Sequence, residues 1–445
     1  MSLATLFFFL GFGTLMSSEA FADELYDVPI RLTVDGDGPF PVAAYDASYE
    51  NNTYLSLRSL AAAMANSQKP FRVSYTYDTV NGHTENECIH ITTGEADPES
   101  HADPNRWAED YAVLQANALE LDGEPRRYWT YASSDGDDLY MSITDLAMAL
   151  DLDIRCTGEN ELSIDTAKGF SLTLPQLDRQ EYFDTLSGVI CGDLTTGEIL
   201  YSRHADRPSA IASTSKLMTA LIALDEVADG SIALDDTVTV SAKAARISRS
   251  YDGMIELEEG QLVTVRDLLY GMLLPSSNES AITLAEYISG SEDAFAEEMN
   301  RRAAKLGLKT ARFVNASGLP CYRENAALTK LHNSMSAEEL YTLAAYLVKT
   351  HPEVLEYSSA KYAWLDSMQY DAFNTNPLLL NLPGVRGLKT GTTNRAGCCI
   401  VVLMEQPVGD ETHRLLCVLL DAETSAERCT KAEVLLRCVR KMMRN

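Results

Sequence analysis

Basic residues are scarce in this chain relative to acidic ones. Its 445 residues include 36 Lys and Arg against 65 Asp and Glu, which gives a formal net charge of −29 at pH 7. Nucleic-acid binding depends on Lys and Arg that neutralise phosphates, so the composition excludes nucleic acid as a partner. Most of the carboxylates are expected to form a solvated acidic surface. An anionic substrate would therefore need a local basic pocket.

Long hydrophobic runs are absent after the first residues of the chain. The segment from Leu3 to Met16 is apolar, and Ala20-Phe21-Ala22 supplies small residues around a cleavage point. Residues 1–22 are therefore predicted to be an export signal cleaved after Ala22, although no Lys or Arg precedes the apolar segment. This segment is short for a membrane-spanning helix, and its retention as an anchor is the alternative. We expect the rest of the chain to lie outside the cytoplasm, at the cell wall or the membrane surface.

Metal-ligand spacing is also missing. The chain has nine cysteines and seven histidines, but no C-x-x-C pair with zinc spacing, and the histidines are scattered. The sequence therefore predicts no metal and no cofactor. Most cysteines, including the neighbours Cys398 and Cys399, are interpreted as small core residues. Because their number is odd, at least one thiol is free or paired with another chain, and the disulfide pairing stays open.

An internal repeat marks the first half of the chain, whose total length predicts two or three domains. The segment YLSLRSLAAAM at 54–64 recurs as YMSITDLAMAL at 140–150, and each copy is followed by a short β-like run. Ser56 and Ser142 stand where helix N-caps are expected. Two copies are too few for a solenoid, so the pattern predicts one compact α+β unit.

This repeat resembles the copper amine oxidase N-terminal-like domain, an accessory module of exported bacterial proteins. The resemblance implies no copper site, because the matching residues are apolar packing positions. We therefore predict an accessory domain at 23–170, a linker at 171–183 and a second domain at 184–445.

Three short motifs occur in order within the second domain: Ser213-Thr-Ser-Lys216, Ser276-Ser-Asn278 and Lys389-Thr-Gly391. They are predicted to lie on a helix, a loop and a strand respectively. Residues three apart on a helix share a face, so Lys216 can reach the Ser213 hydroxyl. A serine becomes a strong nucleophile only when a neighbour takes its proton. Lys216 can do so if it is neutral, which burial and the nearby cation Lys389 would favour by lowering its pKa.

The three motifs together resemble the signature of serine penicillin-binding proteins and β-lactamases. The stretches around them extend the resemblance over nearly all of residues 185–445, to the D-alanyl-D-alanine carboxypeptidases of the low-molecular-mass penicillin-binding type (peptidase family S11-like). This resemblance implies a mixed α/β fold of the α+β type, like that of β-lactamases and transpeptidases. In this fold a five-stranded antiparallel sheet is flanked by helices. It implies removal of the terminal D-alanine from peptidoglycan stem peptides and inhibition by β-lactams.

The resemblance also implies roles for the remaining motif residues. Ser276 would relay a proton to the leaving amine, and Asn278 would hold Lys216 and the substrate amide. The substrate's terminal carboxylate would meet the Lys389 charge and the Thr390 hydroxyl. Two further residues complete the set: Gly391 would let the strand approach the ligand closely, and the backbone N–H of Thr392 would be the second oxyanion donor beside the N–H groups at Ser213.

Some features differ from the pattern of the family. A second S-x-x-K match at Ser358–Lys361 has no S-x-N before the K-T-G, and we interpret it as surface sequence. Relatives commonly carry a His-x-Ser-Thr-Ala-like segment where this chain has Ser334–Glu339. Relatives also often carry a β-rich domain and an amphipathic anchor after the catalytic domain, whereas here the final helix is expected to pack on the sheet.

Three alternative functions remain open at this stage. A DD-endopeptidase would use the same residues on cross-links. A β-lactamase would share the motifs, but class A enzymes need a glutamate in an E-x-x-L-N context, and none occurs between Asn278 and Lys389. A catalytically idle wall-binding protein would make the first domain the functional part.

Overall fold

A computed structural model describes residues 25–27, 30–47, 52–80, 83–96, 114–132, 138–158, 160–179, 181–250, 254–322 and 330–443. The chain divides into two compact units, the first ending at Ser171 and the second beginning at Leu172. The predicted export signal lies outside the described residues. No helix in the described ranges combines the length and apolar character needed to cross a membrane.

The first unit consists mainly of β-structure. Its strands are β1 (Leu25–Asp27), β2 (Ile30–Val34), β3 (Asp37–Val42), β4 (Ala44–Ala47), β5 (Asn52–Ser56), β6 (Phe71–Val80), β7 (His83–Thr93), β8 (Leu114–Leu121), β9 (Glu124–Ala132), β10 (Leu139–Ser142), β11 (Asp153–Gly158) and β12 (Glu161–Asp165). Its helices are α1 (Leu57–Met64) and α2 (Ile143–Ala149). One sheet has eight strands in the order β1-β4-β5-β10-β9-β8-β7-β6, and the other has four in the order β11-β12-β2-β3.

The two copies of the repeat form equivalent strand–helix pairs, β5–α1 and β10–α2. Both predicted N-caps are present, since the Ser56 and Ser142 hydroxyls accept hydrogen bonds from backbone N–H groups three residues on. Strands β5 and β10 pair antiparallel, with Ser56 opposite Tyr140 and Tyr54 opposite Ser142. The apolar faces of both helices are buried in one core, so each copy covers the other.

The second unit combines a central sheet with several helices. Its strands are β13 (Gly188–Asp193), β14 (Ile199–Arg203), β15 (Pro208–Ala210), β16 (Thr237–Thr239), β17 (Leu262–Thr264), β18 (Cys321–Tyr322), β19 (Lys330–Leu331), β20 (Ser334–Ser336), β21 (Tyr362–Leu365), β22 (Tyr370–Phe373), β23 (Val385–Thr393), β24 (Gly397–Val408) and β25 (Glu411–Ala422). Its helices are α3 (Leu174–Arg179), α4 (Lys216–Ala228), α5 (Ala242–Ser248), α6 (Val265–Leu273), α7 (Asn278–Ser289), α8 (Glu292–Lys305), α9 (Ala337–Thr350), α10 (Val354–Ser359), α11 (Leu378–Asn381) and α12 (Ser425–Met442). Two 3-10 helices cover Ala212–Ser215 and Asp366–Met368.

The central sheet has five strands in the order β14-β13-β25-β24-β23. All four pairings are antiparallel, which confirms the predicted sheet. The final helix α12 contacts β24 and β25 through buried residues that include Leu435, Leu436 and Val439, as expected. Strand β23, which carries the K-T-G motif, lies at the sheet edge and is therefore open to a ligand on one side.

A disulfide joins two neighbouring strands of this sheet. Cys191 on β13 lies directly opposite Cys417 on β25, and the two are bonded. Their separation of 226 residues in sequence explains why the pattern of cysteines alone could not reveal the pair. Cys398 and Cys399 are buried in β24, which agrees with their interpretation as small core residues.

Candidate active site

Ser213 lies in the short 3-10 helix Ala212–Ser215 that leads directly into α4. In a 3-10 helix the side chains at positions i and i+3 are aligned, so Lys216 projects on the same side as Ser213. The Lys216 Nζ lies 2.8 Å from the Ser213 Oγ. The predicted nucleophile and base are therefore in hydrogen-bond contact. The motif that is predicted to lie on a helix spans the junction between this 3-10 helix and the regular α-helix, which begins at Lys216.

The Lys216 amine is surrounded by three oxygen atoms and is fully buried. Besides the Ser213 Oγ, it contacts the Asn278 Oδ1 at 2.8 Å and the Ser317 carbonyl oxygen at 2.6 Å. An amide oxygen and a carbonyl oxygen can only accept hydrogen bonds. A neutral amine has two N–H groups, which these two acceptors would occupy. Its lone pair would then face the Ser213 hydroxyl, which is the geometry that a general base needs.

Burial lowers the pKa of Lys216 from its ordinary value to about 7. The carboxylates of Glu279 and Glu292 act in the opposite direction and raise the Lys216 pKa. The sequence-based expectation that Lys389 would help to lower this pKa needs a correction. Burial is the dominant cause, and the repulsion between the two lysines lowers the pKa of Lys389 instead.

The second motif lies between α6 and α7. Ser277 is the N-cap of α7, and its hydroxyl accepts a hydrogen bond from the Ser280 N–H. Asn278 is thereby fixed as the first residue of the helix, from which its amide oxygen reaches Lys216. Ser276 stands just before the cap with a positive φ of 69° and a partly exposed side chain. Such a backbone conformation is costly for a residue other than glycine, and strain of this kind is concentrated at functional sites.

The third motif lies on the edge strand β23. The Lys389 side chain is buried, and its Nζ donates to the Thr390 carbonyl oxygen at 2.9 Å. Burial is the main cause that holds the Lys389 pKa well below its usual range, followed by the charges of Lys216 and Arg428. The Thr390 Oγ1 lies 2.6 Å from the Thr375 Oγ1, which fixes its rotamer.

Gly391 is required by the main chain beside it. A Cβ at Gly391 would lie 2.8 Å from the Ser213 nitrogen and 2.9 Å from the Thr214 nitrogen. The sequence-based interpretation attributed this glycine to close approach of a ligand, whereas the close approach in the structure is to the backbone of the Ser213 helix. The next residue, Thr392, is exposed. Glycine thus lets strand β23 pass close to the backbone of the Ser213 helix.

A second cation lies beside the K-T-G strand at this edge of the sheet, and the sequence analysis did not identify it. Arg428 lies in the first turn of α12, is 4% exposed and donates from Nη1 to the Thr392 Oγ1 at 3.2 Å. A cation near the N-terminus of a helix opposes the helix dipole. This unfavourable placement is the one sequence feature that could have drawn attention to Arg428. The sequence predicted one cation at the K-T-G strand, and the structure adds a second.

The second S-x-x-K match is not surface sequence, contrary to the interpretation above. Ser358 is fully buried in α10, and its Oγ donates to the Arg386 carbonyl oxygen at 3.3 Å. The helix ends at Ser359, so Lys361 does not continue on the same helical face and is exposed. This serine therefore has a packing role against the start of β23 and lacks the aligned lysine that Ser213 has.

Comparison with known proteins identifies the family of the second unit. The family described as D-alanyl-D-alanine carboxypeptidase matches residues 183–424. The D-alanyl-D-alanine carboxypeptidase DacF of Bacillus subtilis is 33% identical over 235 residues, which are 52% of this chain and 56% of that protein. A D-alanyl-D-alanine endopeptidase of Escherichia coli is 32% identical over 222 residues, which are 48% of this chain and 67% of the relative.

A solved structure gives the same result for the fold. The crystal structure of a peptidoglycan synthesis regulatory factor (PBP3) from Streptococcus pneumoniae superposes with a TM-score of 0.53 and 29% identity, covering 58% of this chain and 72% of that one. The chain spans little more than half the length of the Bacillus relative. Because the family match covers more than half of the sequence and contains all three motifs, this chain belongs to the D-alanyl-D-alanine carboxypeptidase family (Peptidase_S11).

Proposed function

We propose that this protein is a serine D-alanyl-D-alanine carboxypeptidase that removes the terminal D-alanine from peptidoglycan stem peptides. The observation that carries the proposal is the fully buried Lys216 amine at 2.8 Å from the Ser213 hydroxyl, with both of its other contacts made to acceptors. No cofactor or metal is needed for this chemistry. β-Lactams would react at the same serine, because their carbonyl resembles the scissile peptide bond.

In the proposed reaction, the Ser213 Oγ attacks the carbonyl of the penultimate D-alanine while its proton passes to the Lys216 Nζ. The N–H groups of Ser213 and Thr392 stabilise the oxyanion. The C–N bond then breaks, and Ser276 relays a proton to the departing amine of the terminal D-alanine. Water hydrolyses the resulting ester and regenerates Ser213. Asn278 holds the lysine in place throughout.

The terminal carboxylate of the substrate would bind where Lys389, Thr390 and Arg428 meet. Burial disfavours a charged Lys389 when no anion is present. A bound carboxylate would favour the charged form again and gain charge-assisted hydrogen bonds from it. This small basic site within an acidic protein is the local pocket that an anionic substrate requires, and it selects a free carboxyl terminus.

The acylation rate is expected to rise with pH through a midpoint near the Lys216 pKa of about 7. Below that pH the lysine is protonated and cannot accept the serine proton, whereas above it the neutral form predominates. The measurement is the second-order rate constant of acylation by benzylpenicillin from about pH 5 to about pH 9. A rate that is flat or falls across neutral pH would contradict the role of Lys216 as the base.

A DD-endopeptidase is the second candidate, because two of the relatives carry that name. Incubation with a stem pentapeptide and with a purified cross-linked dimer, followed by mass spectrometry, separates the two activities. The carboxypeptidase proposal expects loss of one terminal D-alanine from the pentapeptide, with the dimer cross-link left intact. Cleavage of the dimer into monomers with an unchanged pentapeptide would favour the endopeptidase instead.

The first unit is proposed to be an accessory domain like the copper amine oxidase N-terminal-like domain, with the predicted linker 171–183 including helix α3 of the second unit. Each unit has its own hydrophobic core, and all three motifs belong to the second. A chain that begins at Leu172 is therefore expected to acylate at a rate within about twofold of the full chain, because the reacting groups stay together. A truncated protein that is folded by circular dichroism but unreactive toward penicillin would contradict this expectation.

We further propose that the protein is exported and acts at the cell wall or the membrane surface. The Cys191–Cys417 disulfide supports this location, since disulfides persist mainly in oxidising compartments. The signal segment 1–22 would direct export and be cleaved after Ala22.

A further inference from the structure

The segment 374–376, between β22 and α11, contacts the surroundings of two active-site motifs but has no part in the proposed reaction. Its central residue, Thr375, is half-buried, and its backbone N–H donates to the Leu274 carbonyl oxygen at 3.2 Å. The Thr375 Oγ1 also lies 3.3 Å from this carbonyl oxygen, which stands two residues before Ser276. The same Oγ1 lies 2.6 Å from the Thr390 Oγ1 on the K-T-G strand. Thr375 therefore joins the loop of the second motif to the third motif.

The two asparagines that flank Thr375 fix the path of this segment. The Asn374 Nδ2 donates to the Ser358 and Ala360 carbonyl oxygens, both at 2.9 Å. The Asn374 Oδ1 accepts from the Asn376 N–H at 2.9 Å. Asn376 is buried, and its Oδ1 accepts from the first N–H of α11 at 3.1 Å. None of these contacts uses the Thr375 hydroxyl, so the segment should keep its path when that hydroxyl is removed.

The Thr375 and Thr390 hydroxyls have one proton each, and these protons can be arranged in two ways. In the first arrangement, Thr375 donates to the Leu274 carbonyl and Thr390 donates to Thr375, which leaves Thr390 only lone pairs for a ligand. In the second, Thr375 donates to Thr390, whose own proton is then free. A carboxylate only accepts hydrogen bonds, so it pairs with the second arrangement alone. The Leu274 carbonyl stays satisfied in either case, because it keeps the Thr375 N–H at 3.2 Å.

We infer that Thr375 is a positioning residue for the terminal carboxylate of the substrate, because it holds the Thr390 hydroxyl in place and donates to it when the carboxylate binds. This inference rests on the proposed function, in which Thr390 meets that carboxylate. Two hydrogen bonds in series polarise each other, so the bond from Thr390 to the carboxylate is strengthened. A hydroxyl that is already oriented also loses less freedom on binding. Thr375 thus favours a free carboxyl terminus through Thr390 rather than by contact with the substrate.

Thr375→Val tests the role of the hydroxyl, because valine keeps the shape of the side chain. The KM for a pentapeptide ending in D-Ala-D-Ala should rise about tenfold, the effect of losing one good hydrogen bond, while kcat should stay within about twofold of the wild type. The loss should appear in KM because the carboxylate is bound alike before and during the reaction. Thr375→Ser keeps the hydroxyl and should restore KM to within about twofold of the wild type.

A double-mutant cycle with Thr390→Val shows whether Thr375 acts through Thr390. In the Thr390→Val background, adding Thr375→Val should lower kcat/KM by less than about twofold, because no Thr390 hydroxyl remains to be positioned. A merely structural contribution would lower kcat/KM by the same factor in both backgrounds. Thr283→Val is the matched control, since Thr283 on α7 is buried and its hydroxyl has no hydrogen-bond partner in the part of the chain that the structure describes. It should leave KM unchanged in either background.

Three results would overturn the inference: an unchanged KM in Thr375→Val, a serine variant as weak as the valine variant, or equal losses in both backgrounds of the cycle. If a melting curve shows that Thr375→Val does not fold, Thr375→Ala takes its place in the same cycle. Wild-type protein that releases no D-alanine from the pentapeptide would overturn the proposed function and this inference with it. Turnover without coupling between Thr375 and Thr390 overturns only the role of Thr375.

Discussion

Ser213→Ala is expected to abolish release of D-alanine from a pentapeptide ending in D-Ala-D-Ala, with a loss of roughly 10⁴-fold or more. The substitution removes the oxygen that would form the acyl bond in the proposed reaction, while the proposed oxyanion donors and carboxylate site remain. The Lys216 amine would keep its contacts with Asn278 and Ser317, so the fold should be retained. Chromatographic assay of free D-alanine, together with a melting curve, provides the measurement.

Ser358→Ala is the matched control for this experiment. It removes a hydroxyl from the other S-x-x-K match, whose lysine, Lys361, lies beyond the end of the helix and is exposed. Because Ser358 is buried and donates to the Arg386 carbonyl, some loss of thermal stability is expected, but turnover of the folded enzyme should remain close to the wild-type value. Turnover that survives in the Ser213 variant and disappears in the Ser358 variant would reverse the assignment of the nucleophile.

Lys216→Arg is expected to reduce acylation by about 10²–10⁴-fold, the usual contribution of a general base. A guanidinium stays protonated near neutral pH and cannot accept the Ser213 proton. It also has no lone pair to place opposite the hydroxyl, whereas the Lys216 amine sits at 2.8 Å from it. Stopped-flow acylation by a chromogenic cephalosporin across pH gives the rate constants.

Lys389→Arg is the comparison that separates the two lysines. It keeps a positive charge facing the proposed carboxylate site, so the acylation rate should fall less, by about tenfold. This smaller decrease should arise from the altered geometry of the side chain. If Lys216→Arg acylates as fast as the wild type, another group must accept the serine proton. If both variants lose activity equally, then the two cations do not have the separate roles proposed for them.

The parts of the fold that the sequence could predict are those set by local patterns. The N-caps Ser56 and Ser142 follow from a hydroxyl placed before an apolar helical face. The five-stranded sheet and the alignment of Ser213 with Lys216 followed from motif spacing and family resemblance. Position i+3 on one helix is a local relation, so no knowledge of the tertiary structure was needed.

Features that depend on distant segments could not be predicted in this way. The partner of Cys191 depends on the register of β13 against β25, which the sequence does not encode locally. Burial of Ser358 depends on the packing of α10 against β23, and Arg428 reaches the site only because α12 returns along the sheet. Burial also decides that Lys216, rather than any of the exposed lysines, has a pKa of about 7.

Peptide mapping of the penicillin adduct tests whether Ser213 is the nucleophile. Protein labelled with benzylpenicillin would be digested, and the modified peptide would be sequenced by tandem mass spectrometry. We expect one penicilloyl group per chain, carried by Ser213 in the peptide that contains both Ser213 and Lys216. An adduct on any other residue, or a chain that remains unmodified although it is folded, would contradict this expectation.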